Sequence, residues 1–144
     1  MIPAKRPGAS YLGEDRTGFR VWAPKASQVE VRVLSPGEPR LVPLTKQGDY
    51  FSGLIAEMPP GSLYRYRLNG ETERPDPASS SQPEGVHGPS QVVSLEFPWE
   101  DQTWIGLPLR EYVIYELHVG TYTTAGNFAA IIPRLQKLRD LGIT

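Results

Sequence analysis

The stretch YVIYELHVGT, from Tyr112 to Thr121, is the one whose reading decides the fold. Val113, Ile114, Leu117 and Val119 are apolar on both parities, the pattern of a strand covered on both faces, as in parallel α/β sheets and barrels. Glu116 and His118 interrupt that run. Ionisable groups in a buried strand need partners, so they belong either to a structural network or to the floor of a site. After TYTTAG, the residues Phe128, Ile131, Ile132, Leu135 and Leu138 recur at spacings of three and four, which predicts a helix from Asn127 that Gly142 stops. Pro133 falls inside it, so either the helix kinks there or its regular part begins near Ile132. A second strand is expected to open at LGIT. A lone βα unit can neither pair its strand nor cover its sheet, and a barrel of eight such units takes about 250 residues. Residues 112–144 are therefore expected to be the first strand and helix of a truncated TIM barrel, and the 144-residue chain a fragment of something longer. Exposed apolar groups on that unpaired strand and helix predict association or local disorder after about Glu111.

Working outward, the charge is balanced, 15 Lys and Arg against 16 Asp and Glu, and a net charge of −1 offers no basic stripe for a phosphate backbone. Nucleic acid is excluded as the main partner. There is no cysteine, and the two histidines, His87 and His118, lack metal-ligand spacing, so disulfides, thiolate chemistry and zinc sites are not expected, nor is any cofactor. MIPAKRPGASYLG contains no apolar signal core and no segment approaches the ~20 apolar residues that span a bilayer. No membrane association and a cytoplasmic location follow as expectations.

The chain holds fifteen prolines and fourteen glycines, many for its length, and they fall between short apolar runs, the punctuation of an all-β domain. Strands are expected at Ser10 to Gly13 and Gly18 to Ala23, joined by EDRTG, with Phe19 and Val21 on the inner face and Arg20 and Trp22 on the outer. Val29, Val31 and Val33 alternate with Glu30 and Arg32 between Gln28 and Leu34, as in a half-buried antiparallel strand. Further strands are read at Arg40 to Thr45 and Tyr50 to Ala56 around a KQGD hairpin loop, and in LYRYRL. There Tyr64 and Tyr66 share the face opposite Arg65 and Arg67, and the arginines form a solvated face. Asn69-Gly70 predicts a type I′ turn back into ETE. This is a mainly β chain that opens with an immunoglobulin-like sandwich, residues 1–96. It includes a Pro/Ser/Gly-rich loop at 74–90 and a last strand at VVSLE. FPWEDQTWIGLPLRE, residues 97–111, reads as a connector anchored by Trp99 and Trp104.

The order GFRVWAP, PDPAS, QPEGVHGPSQVV, FPW, YELHVGTYT and LRDLGIT resembles the start of α-amylase superfamily enzymes, the family 13 glycoside hydrolases that carry an N-terminal E-set or carbohydrate-binding-module-like sandwich. GFRVWAP and YELHVGT are similar across glycogen branching and debranching enzymes. QPEGVHGPSQVV looks more like the trehalose-releasing branch. The resemblance implies a retaining hydrolase on a (β/α)8 barrel that cuts the α-1,4 bond next to the trehalose end of malto-oligosyltrehalose. Its aspartate nucleophile and glutamate acid/base would stand about 5 to 5.5 Å apart on later barrel strands. Neither carboxylate maps onto this chain, so no catalytic residue is assigned and the chain alone is expected to be inactive. The partners implied are malto-oligosyltrehalose or another α-glucan, with the sandwich packed on its own catalytic barrel. The rival expectations are a branching or debranching enzyme, a non-catalytic α-glucan-binding module and a purely structural brace.

Within that frame His118, with Glu116 orienting it, is the candidate for a substrate hydroxyl at the end of the barrel strand that carries active sites. A self-satisfied polar network is the preferred alternative. His87 is read as an interface group that caps backbone rather than a ligand. Trp22, Trp99 and Trp104, with Tyr64 and Tyr66, could stack pyranose rings, although core or interface roles are preferred for them.

Overall fold

The computed structural model describes residues 6–144. The valine alternation is realised as β3 (Val29–Ser35), in which Val29, Val31 and Val33 are fully buried while Glu30 and Arg32 lie on the wetter face. A period of two puts one parity of a strand against the core, and each such side chain contributes about 1.5–3 kcal/mol by leaving water. Around it stand β1 (Gly8–Tyr11), β2 (Thr17–Trp22), β4 (Arg40–Pro43), β5 (Thr45–Gln47), β6 (Tyr50–Ile55), β7 (Leu63–Leu68), β8 (Thr72–Arg74) and β9 (Ser90–Gln91). They form two antiparallel sheets, one in the order β1-β2-β6-β5 and the other β4-β3-β7-β8, with β9 also pairing β7. Phe19, Val21, Phe51 and Ile55 from the first sheet meet Val29, Val31, Val33, Tyr64 and Tyr66 from the second in one core. Phe19 and Tyr64 pack edge to face with ring centroids 5.0 Å apart, a geometry that aligns a ring edge with the electron-rich face of its neighbour.

β1 starts two residues before the expected Ser10, and two further features depart from the expected strands. The run Arg40 to Thr45 is not one strand, because the chain leaves the second sheet after Pro43 and enters the first at Thr45. Leu44, buried at the crossing, donates its N–H to Val29 O at 2.9 Å. VVSLE forms no strand; pairing there is confined to Ser90–Gln91, and Val92 is instead a core residue whose N–H donates to Ser62 O. The Asn69-Gly70 turn has both residues at positive φ, 52° and 78°, as a type I′ turn requires, and Glu71 N–H closes it onto Leu68 O at 3.1 Å.

The chain divides into two compact units, the first ending at Phe97 and the second spanning Pro98–Thr144. In the second unit the deciding stretch differs from expectation. Residues 112–118 form no strand, and Val119–Tyr122 is a single helical turn, α1. The physical reason is that no strand among the described residues pairs with it. A strand draws its order from ladder hydrogen bonds. Here the backbone of 112–118 is tied across the unit by Val113, which donates to Thr144 Oγ1 at 2.8 Å and accepts from Thr144 N at 3.1 Å. Ile114 accordingly stands 83% exposed. The expected helix is broken in two, α2 (Phe128–Ile131) and α3 (Leu135–Asp140), by a 3-10 turn at Ile132–Arg134. Pro133 lacks the N–H that a continuous helix would use there. Asn127 caps α2, its Oδ1 accepting from Ala130 N at 3.0 Å, and Gly142 at φ +92° ends α3 while its N–H reaches Arg139 O.

Candidate functional site

Loop 74–90 is ordered from inside the sandwich. Asp76, 3% exposed, accepts from the Tyr64 hydroxyl at 2.6 Å and the Tyr66 hydroxyl at 3.3 Å through Oδ2, and from Ala78 N at 2.8 Å through Oδ1. Its own N–H donates to Ser90 Oγ at 2.9 Å. The two tyrosines expected on one face of β7 therefore point inward, with Tyr64 0% and Tyr66 2% exposed, and they take no part in a sugar platform. Burial pushes the Asp76 carboxyl up from its ordinary 3.8, against the pull of the Tyr64 hydroxyl, the Ala78 N–H and the Tyr66 hydroxyl. Burial, and then the charge on Asp76, push both phenols far above their usual range. The cluster holds structure, and Tyr66 reaches the wall of a surface groove from the inside.

By pinning Asp76 the core sets Pro75 and Pro77 at the surface. There they line an apolar groove of about 380 Å³ with Val21, Trp22, Ala23, Leu68 and Arg74. Trp22 is 59% exposed, so its ring is available to an apolar face such as the C–H side of a pyranose, and Arg74 is the one charged side chain on the groove among the described residues. A second hollow of about 460 Å³, between Arg32, Arg40, Leu41, Arg67, Glu71 and Glu73, is charged and has no aromatic ring. Arg32 there pairs with Glu73, and Arg67 donates to Gly70 O. The arginines expected on an open face are thus partly tied: Arg65 donates to His87 O at 2.7 Å. His87 is exposed, and its backbone rather than its ring holds that contact.

The remaining candidates lie in the second unit. Glu116 and His118 are exposed rather than buried in a strand, and the structure does not join them in a network. His118 sits just ahead of α1; its Nδ1 is 3.3 Å from Thr121 Oγ1 and its carbonyl accepts from Tyr122 N. Trp99 and Trp104 are largely exposed, and the Trp104 N–H donates to Asp101 O. Among the described residues no three His, Cys, Asp or Glu side chains converge as metal ligands, and no helix is long and apolar enough to cross a membrane. The residue the sequence reading passed over is Asp76. Its signal was the Pro-Asp-Pro setting, where an Asp side chain turns back on the backbone two residues on, as it does to Ala78.

Comparison with known proteins places this geometry. A malto-oligosyltrehalose trehalohydrolase of Saccharolobus solfataricus is 39% identical over 133 residues, 92% of this chain. A glycogen debranching enzyme of Erwinia tasmaniensis is 29% identical over 81% of it. The chain spans 23% of the length of each of these relatives. Among solved structures, an α-amylase-like protein of Salmonella typhimurium superposes with a TM-score of 0.84 at 35% identity, covering 98% of this chain and 24% of that one. The profile of carbohydrate-binding module 48, the isoamylase N-terminal domain, matches residues 7–82, which include every strand from β1 to β8 and the Pro75–Asp76–Pro77 turn. The chain belongs to the carbohydrate-binding module 48 family.

Proposed function

We propose that this chain is the front part of a retaining α-amylase-family hydrolase that cleaves the α-1,4 bond next to the trehalose end of malto-oligosyltrehalose and releases trehalose. The observation that carries this is the 39% identity to a trehalohydrolase over 92% of the chain, against 29% to a debranching enzyme over 81%. Residues 1–96 act as an α-glucan-binding sandwich, 97–111 as a connector, and 112–144 as the first strand and helix of the catalytic barrel, on which the sandwich packs. The Val113–Thr144 hydrogen bonds are then the first rungs of a ladder that further barrel strands complete. The catalytic Asp and Glu lie outside the chain, which is inactive by itself.

His118 binds a substrate hydroxyl in the assembled enzyme, with Glu116 as the second candidate of the same stretch. The test is to express the enzyme that carries this chain and supply malto-oligosyltrehalose. Free trehalose is expected; release of linear chains from an α-1,6-branched glucan without trehalose would assign it to the debranching enzymes instead. In the same assay His118→Ala should lower kcat/KM about tenfold at an unchanged unfolding midpoint, the loss of one hydrogen bond to substrate. Unchanged kinetics would leave His118 a structural residue.

A further inference from the structure

One row of side chains crosses three strands on the outer face of the four-stranded sheet. Tyr50 on β6 is paired directly with Trp22 on β2 and with Gln47 on β5. Directly opposed residues of antiparallel strands share a face. The next residues along, Val21 and Phe51, are 6% and 1% exposed in the core, so Trp22 and Tyr50 point outward. Gln47 is exposed beside them. Arg20, one pair further along the same face, lays its guanidinium over the Tyr50 ring at 4.2 Å from the centroid. Its Nε is buried without an acceptor. The row continues into the apolar groove through Trp22, which is common to both.

We infer that Gln47, Tyr50 and Trp22 form the platform on which this module binds linear α-glucan, an inference that rests on the glucan-binding part of the function proposed above. Strands about 4.8 Å apart put the ends of the row about 10 Å apart, a span that two linked pyranose rings cover. The exposed Trp22 indole supplies flat apolar surface for the C–H face of a sugar, and the Tyr50 phenol, with Arg20 stacked over its ring, supplies a hydroxyl beside it. The Gln47 amide offers both a donor and an acceptor, and Arg20 offers donors, to hydroxyls that a purely apolar partner would not carry. The charged hollow at Arg32 and Glu73 has no ring to stack on, and its ion pair would lose water without replacement if a neutral sugar covered it.

The test is calorimetric titration of the 144-residue chain with maltoheptaose, with thermal unfolding run on each variant. Trp22→Ala should weaken binding about tenfold and Gln47→Ala about threefold, and Leu41→Ala, on the other sheet, should change it less than about twofold. Binding by a folded Trp22→Ala variant within about twofold of the unaltered chain would overturn the platform while leaving the module a glucan binder. If the unaltered chain binds no maltoheptaose, glucan binding by the module is refuted and the platform with it. The trehalose-release assay decides the hydrolase assignment independently.

Discussion

The Tyr64 hydroxyl donates to Asp76 Oδ2 at 2.6 Å in the interior of the sandwich, joining the start of β7 to a proline-flanked loop twelve residues on. Through this bond a β-strand dictates where loop 74–90 runs and hence where Pro75 and Pro77 meet Trp22.

Asp76→Ala leaves two buried hydroxyls without their acceptor. At about 1–3 kcal/mol for each unsatisfied group, the loss should be about 2–4 kcal/mol by urea unfolding. Tyr64→Phe removes one donor and leaves Asp76 its other partners, and should cost about 1–2 kcal/mol. Equal effects from the two would contradict the shared-acceptor arrangement.

The same carboxyl sets a pH dependence. Its folded pKa is raised above the unfolded value, so the folded state holds the proton more tightly. The contribution to stability is fully present below the ordinary 3.8 and is lost as pH rises through the folded value. The stability of the chain relative to Asp76→Asn should therefore fall as pH rises above the ordinary 3.8. A difference that is flat, or that rises with pH, would show that hydrogen bonding to the charged form outweighs burial.

Gly8 opens β1 at φ +104°, and a Cβ there would come within 2.9 Å of Ala78 O. The conformation and the contact both reject a side chain, so Gly8→Ala should destabilise by more than about 1 kcal/mol in thermal or urea unfolding. A neutral result would mean that β1 and the 76–79 turn are not in contact.

Amide exchange should divide the chain sharply. Residues 30–33, 63–64 and 66–68, paired on both sides within the second sheet, should exchange slowest. Amides of 112–118 should exchange within seconds to minutes, with Val113, which donates to Thr144, the slowest among them. Protection of 112–118 equal to that of β3 in a monomeric sample would show a ladder that the static structure lacks.

The amino-acid order by itself determined the sandwich strands wherever period-two alternation met turn chemistry. Val29, Val31 and Val33 could bury only one parity, and Asn69-Gly70 could hardly do other than reverse the chain. It also placed the two ends of the last helical segment, because Asn127 and Gly142 act locally on the backbone beside them. Only the tertiary structure decided the rest. The passage from one sheet to the other at Leu44, the burial of Asp76 under two phenols, and the alignment of Gln47, Tyr50 and Trp22 each depend on residues brought together from different strands. The stretch 112–118 carries the composition of a buried strand and yet is none, because a strand is defined by its neighbours and composition cannot supply them.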